Sequence, residues 1–234
     1  GARLLIGDFQ ADGRAVVAIF GRTPSGTSRM IVLRRHRYEM TTTFQNPIEW
    51  WSASQEYDKI VSVWLGDLSG DGRSDLIVRQ HPDSGGVRLK TAVTKSPYPG
   101  SGPRMDTYKA RWEDLSLVAA KVKMTVADAN RDGRDDVVMV VGGNGRGVVE
   151  RLQGQKLGGF KRVKIWTAPK SDPIPVRNTR VGAADVDYDG RVDVVLYSKA
   201  DSKTRIRVLK ARYDRMVPGP DWKISQPWDD VRPY

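Results

Sequence analysis

The chain has 234 residues, with 39 Lys plus Arg against 28 Asp plus Glu, a formal net charge of +11 and no cysteine. Its 39 % hydrophobic content supports a buried core and excludes a disordered tail, while the lack of cysteine excludes a disulfide scaffold, a thiol nucleophile and any Cys-built metal site. No apolar run is long enough to span a bilayer, and the first residues lack the basic-then-apolar pattern of a signal peptide, so the chain reads as a processed or excised piece.

The predicted elements follow one another in four similar rounds. A strand-like start runs into the acidic segment GDFQADGRAVVAI (residues 7–19), and a third strand is expected over 30–33. The second round has strands over 61–65, 76–78 and 87–89 around GDLSGDGRSDLIV (66–78). The third has strands over 122–126, 137–141 and 148–152 around ADANRDGRDDVVM (127–139). The fourth has ADVDYDGRVDVVL (184–196), then strands over 192–197 and 205–209. The leading aspartates Asp8, Asp67, Asp128 and Asp185 are 59, 61 and 57 residues apart. Trp51, Trp112 and Trp166 keep the same beat, and Trp228 would continue it if the chain ends met. A fourth, tryptophan-bearing strand then completes a four-stranded unit per period.

Residues 106–120 carry charge pairs at helical spacing, but the equivalent stretches of other rounds hold Pro47, Pro169, Pro173 and Pro227, which a shared helix would not tolerate. The expected fold is therefore all-β: one domain over 1–234, a β-propeller of four repeats of about 59 residues, with a closed four-bladed ring preferred to a fragment of a larger one. The small residues Gly7, Gly66, Ala127 and Ala184 before the turns would suit the crowded centre of such a ring.

The acidic segments place oxygen donors at alternate positions around a glycine bend. The candidate ligands are Asp67, Ser69, Asp71, the Arg73 carbonyl and Asp75; Asp128, Asn130, Asp132, the Arg134 carbonyl and Asp136; and Asp185, Asp187, Asp189, the Arg191 carbonyl and Asp193. Several carboxylates on one short loop repel unless a cation lies between them, and an all-oxygen set with a flexible shell points to calcium. The helix-loop-helix calcium hand is excluded, because its bidentate glutamate at position 12 is replaced by Ile19, Val78, Met139 and Leu196. In the first copy position 9 is Val16, so about three calcium sites are expected, with the first weak or empty.

These residues resemble the FG-GAP or VCBS repeat family, found in integrin alpha subunits and in many secreted proteins, through Asp-x-Asp/Asn-x-Asp-Gly-x-x-Asp followed by an apolar strand. The resemblance implies a calcium-bearing propeller in a secreted or cell-surface setting, with the ligands named above; Val16 departs from the pattern.

Two functions are weighed: a calcium-stabilised extracellular propeller that binds a glycan or protein partner, and a non-catalytic structural or substrate-positioning domain of a larger secreted enzyme or surface protein. Adjacent Trp50 and Trp51 should face opposite ways, leaving one exposed, and Trp222 lies outside the regular beat. Basic clusters at Arg34, Arg35 and Arg37, at Lys121 and Lys123, at Lys161, Arg162 and Lys164, and at Lys203, Arg205 and Arg207 read as solvated strand faces or as contacts for an anionic cell-wall polymer. Nucleic acid is the weaker alternative. No catalytic residues are assigned: His36 and His81 stand apart, and GGNGRG (142–147) lacks the Lys-Ser or Lys-Thr of a phosphate cradle and reads as a β-turn.

Overall fold

Each period of the sequence becomes its own four-stranded antiparallel sheet in the computed structural model, which describes residues 1–33, 47–53, 57–95, 104–106, 109–143, 146–155, 159–200 and 203–224. The strands are β1 Arg3–Gly7, β2 Val16–Arg22, β3 Ser28–Leu33 and β4 Ile48–Ala53, then β5 Ile60–Gly66, β6 Asp75–Gln80, β7 Val87–Ala92 and β8 Lys109–Asp114. The second half repeats the plan with β9 Val122–Ala127, β10 Asp136–Gly143, β11 Arg146–Gly154 and β12 Phe160–Thr167, and with β13 Thr179–Ala184, β14 Asp193–Ala200, β15 Lys203–Arg212 and β16 Arg215–Ile224. In every sheet the strand order follows the chain. The segment with helical charge spacing is strand β8 followed by a 3-10 turn at Ala119–Lys121.

The closed four-bladed β-propeller expected from the repeat is not what forms. The sixteen described strands make four separate open sheets, each completed by its own fourth strand, and none closes on itself. The reason lies in the pairing: β1 is hydrogen-bonded to β2, and β4 and β16 finish the first and last sheets, so no strand is exchanged between the first and last sheets among the described residues. A sixty-residue period counts sheets without dictating a ring. Ala184 is exposed, against the crowded setting expected for it, whereas Gly7 has Ser74 and Leu65 so close that an added Cβ would lie 2.6 Å from Ser74 Oγ.

The chain divides into two compact units, residues 1–116 with 155–159, and residues 117–154 with 160–234. In the first, Phe9, Phe20, Met30, Trp50, Trp51, Val63, Leu76 and Val78 form the core, where Phe20 stacks on Trp51 and Tyr57. In the second, Val138, Val140, Val149, Ile174, Val176, Val194, Leu196 and Leu209 do so. The second strands of the two middle sheets are buried on both faces, over all of β6 and over Asp136–Val140 of β10, which explains their unbroken apolar runs.

Trp50 and Trp51 are both buried, with 2 % and 7 % exposure, correcting the expectation from simple alternation. Met30 pairs with Trp51 and Ile31 with Glu49, so Trp50 is the extra residue of a β-bulge and turns inward beside its neighbour. The same irregularity recurs beside Leu89 and Trp112, and beside Val149 and Trp166. In the last sheet Trp222 pairs with Ile206 next to an irregularity, so Trp222 holds the place in the beat that had been given to Trp228; Trp228, Pro227, Arg34, Arg35, His36 and Arg37 lie outside the described residues.

Candidate functional site

The four acidic turns share one backbone. Glycine at position 6 is left-handed in all of them, with φ of 75° at Gly13, 82° at Gly72, 80° at Gly133 and 77° at Gly190. Position 4 is left-handed too, at Ala11 (55°), Gly70 (75°), Arg131 (61°) and Tyr188 (59°), which the sequence does not signal because only one of the four is glycine. Gly190→Ala should therefore cost about 1–2 kcal/mol, since alanine is strained there. Tyr188→Gly should cost nothing or stabilise by up to about 0.5 kcal/mol, because Tyr188 is 93 % exposed and relief of its backbone strain offsets glycine's added chain entropy. Urea denaturation of both variants checks the pair.

The leading aspartate organises each turn by accepting backbone amides. Asp8 Oδ1 and Oδ2 accept from Gln10 and Gly13 at 2.9 and 2.7 Å. Asp67 accepts from Gly70, Asp71 and Gly72, and Ser69 Oγ donates to its Oδ1 at 3.3 Å. Asp128 accepts from Asp132 and Gly133, and Asp185 from Asp189 and Gly190. The fifth-position carboxylates Asp12, Asp71, Asp132 and Asp189 each accept the amide two residues on, from Arg14, Arg73, Arg134 and Arg191. Asn130 Nδ2 donates to Asp132 Oδ2 at 2.8 Å.

The ninth-position aspartates do something the sequence reading missed. Asp75, Asp136 and Asp193 are fully buried, and each ties its turn to the end of the third strand of its own sheet. Thr94 N donates to Asp75 Oδ1 at 2.8 Å, Gly154 N to Asp136 Oδ1 at 2.9 Å and Ala211 N to Asp193 Oδ1 at 2.8 Å. The other oxygen of Asp75 accepts from Leu68 N and that of Asp193 from Val186 N, both at position 2 of the turn. Burial pushes the Asp75 carboxyl up to about 7 against the two amides that lower it, with the charges of Asp67 and Asp71 adding to the rise. Burial likewise raises Asp136 to about 7, against the Gly154 amide and the Arg151 charge. The twelfth position turns into the core, as expected: Val78, Met139 and Leu196 are buried and Ile19 half-buried.

Among the described residues, three carboxylates converge in the fourth turn: one oxygen each from Asp185, Asp187 and Asp193 lie within 4.8 Å of one another. Asp187 Oδ1 there is shut off from solvent and accepts no hydrogen bond. Hard oxygen donors with one unspent buried oxygen fit a divalent cation. Basic side chains also reach this turn, with Lys210 Nζ 2.9 Å from Asp187 Oδ2 and Arg212 Nη1 2.6 Å from Asp189 Oδ2. The Lys210 hydrogen bond is the main cause holding Asp187 below the usual carboxylate range. In the third turn Asp136 Oδ2 accepts no hydrogen bond and lies 3.7 Å from Arg151 Nε. In the second turn both oxygens of Asp67, Asp71 and Asp75 accept hydrogen bonds, those of Asp71 from the amide and guanidinium of Arg73.

The Arg205 and Arg207 cluster is not a solvated strand face. Arg207 is 7 % exposed, Arg205 joins Asp172 to Asp221, and Arg207 Nη2 lies 2.7 Å from Asp172 Oδ2. Arg205 above all, with Arg207, holds the Asp172 carboxyl down at about 2. His81 is exposed beside the β6–β7 connection, and the 142–147 segment is a hairpin in which Gly142 pairs with Gly147 and Gly143 with Arg146.

Residues 128–196, which hold the third and fourth acidic turns, match the model of an FG-GAP-like repeat. This segment match points to a distant relation to that family and does not extend to a four-repeat array. No curated protein matches the chain. Solved structures similar to it include the exotype rhamnogalacturonan lyase YesX (14 % identity, TM-score 0.48, covering 96 % of this chain and 51 % of that one). They also include the rhamnogalacturonan lyase YesW (14 %, 0.48, 97 % and 53 %). A third is an Agrocybe aegerita lectin described as specifically recognising non-reducing terminal N-acetylglucosamine (14 %, 0.35, 95 % and 79 %). The chain spans about half the length of the two lyases. No described helix is long and apolar enough to cross a membrane. The reading as a calcium-stabilised propeller binding module falls with the ring, since the four sheets are open and separate.

Proposed function

We propose that this chain is a non-catalytic structural or substrate-positioning domain of a larger secreted or surface protein, with a glycan as the substrate it holds and calcium bracing the turns of its second, third and fourth sheets. The observation that carries the reading is where the buried carboxylates go. Asp75, Asp136 and Asp193 accept backbone amides that lock turn to sheet, and one oxygen each of Asp185, Asp187 and Asp193 converge as ligands would. A cation held there neutralises the crowded carboxylates and closes the turn; Asp185, Asp187 and Asp193 would hold it in the fourth sheet.

The test is turnover. Incubated with neutral and acidic polysaccharides in calcium buffer, the chain should release no new reducing ends and form no unsaturated uronyl product by ultraviolet absorbance. Sustained, enzyme-proportional release of either would overturn the non-catalytic reading.

A further inference from the structure

Two adjoining hollows of the second unit share Arg177 and Asn178 and have volumes of about 490 and 660 Å³, within the range of ligand sites. Among the described residues six cations line them, Lys121, Lys123, Arg146, Arg177, Arg180 and Lys199, and no carboxylate does. We infer that this basic hollow binds an acidic polysaccharide, its cations holding the anionic groups and its apolar wall packing against the sugar rings. The inference rests on the substrate-positioning reading above and names the class of chain that is positioned.

The fold places these groups together for local reasons. Lys121 ends a 3-10 turn and Lys123 follows at the two-residue spacing of β9, while Tyr197 and Lys199 share a face of β14 and Arg180 pairs in register with Tyr197. The β10–β11 hairpin brings Arg146 to the rim. Gly147 has no side chain because Ile174 fills that space: an added Cβ would sit 2.7 Å from Ile174 Cβ. Ile174 and Val176 are thereby buried under the hollow, with Pro173 and Pro175 exposed beside them, giving the apolar wall.

Charge decides the sign of the ligand. Among the described residues, Lys121, Lys123, Arg146, Arg177 and Arg180 have no carboxylate within ion-pair distance, unlike Arg205 and Arg207, which are neutralised by Asp172 and Asp221. Arginines in this state pair with carboxylate or sulfate groups, in two-pronged fashion where geometry allows. The wall decides between polyanions. A nucleic acid strand calls for a series of aromatic platforms, and among the described residues Tyr197 is the only aromatic one lining the hollows, whereas aliphatic side chains and prolines suit the CH faces of sugar rings.

The experiment is affinity electrophoresis and titration at low salt with polygalacturonate, a sulfated glycan, neutral galactan and single-stranded DNA. The chain should bind one of the acidic glycans at least tenfold more tightly than galactan or DNA, and the stronger of the two tells carboxylate from sulfate recognition. Arg177→Glu with Arg180→Glu, both exposed positions, should weaken that binding at least tenfold. A second variant acts by volume: Gly143→Phe, at a site where an added Cβ meets nothing within 4 Å, should block the hollow with all charges kept. Lys161→Glu with Lys164→Glu on β12 should change binding less than threefold. Equal binding to galactan, tighter binding to DNA, equal loss in the β12 variant, or unchanged binding in both hollow variants would overturn the inference. Failure here leaves the turnover test untouched, and catalytic turnover would leave this binding result standing.

Discussion

Asp75→Ala should destabilise the chain by about 3–5 kcal/mol, a larger loss than from any other single carboxylate of its turn. The side chain is fully buried, and its two oxygens accept the amides of Leu68 and Thr94 at 3.0 and 2.8 Å. Alanine leaves both amides buried without a partner, at about 1–3 kcal/mol each, and opens a small void between turn and strand. Asp75→Asn keeps one acceptor oxygen and should cost about half as much. Asp71 is partly exposed and accepts from Arg73 within its own turn, so Asp71→Ala should cost about 1 kcal/mol or less. Urea unfolding of the three variants in chelator fixes the order. An Asp75→Ala cost below 1 kcal/mol would show that the carboxylate is not a strut and that the turn is held from elsewhere.

This strut was half legible in the sequence. The recurrence of Asp75, Asp136 and Asp193 was plain, and so was Val16 in their place in the first copy, but one-dimensional spacing reads them only as ligands. Their acceptor role needs the end of the third strand, 18 or 19 residues on, and that proximity exists only once the sheet has formed. The strands themselves were readable because β-branched runs recur around each turn, and β8 was rescued from a helical reading by repetition. The bulge at Trp50 was not readable: alternation assumes a regular pleat, and one extra residue carries the next side chain to the same side. Closure was beyond reach for a similar reason, since the pattern within a period says nothing about how separate sheets are arranged. The burial of Arg207 depended on Asp172, 35 residues away in a connection that no periodicity marks.

Calcium should raise the melting temperature, and chelation should lower it, with the fourth turn as the tightest site. At a hundredfold excess over its dissociation constant a single ion that binds only the folded chain stabilises by about 2.7 kcal/mol, which for a chain of this size corresponds to a shift of roughly 5–10 °C. Asp187 is the side chain that separates ligation from folding. Its Oδ1 accepts no hydrogen bond, and its Oδ2 lies 2.9 Å from Lys210 and 3.8 Å from Arg212, two basic side chains of β15. Asp187→Ala should therefore remove most of the fourth-site increment while leaving the melting temperature in chelator nearly unchanged. Asp185→Ala should fail in both buffers, because Asp185 also accepts the Asp189 and Gly190 amides. Lys210→Met removes a cation that competes for Asp187 and should tighten calcium binding severalfold. Differential scanning calorimetry with calcium and with chelator, paired with isothermal titration, reads all of these. Identical melting of the unmodified chain in the two buffers would overturn the bracing role, and an undiminished increment in Asp187→Ala would move the ion out of the fourth turn.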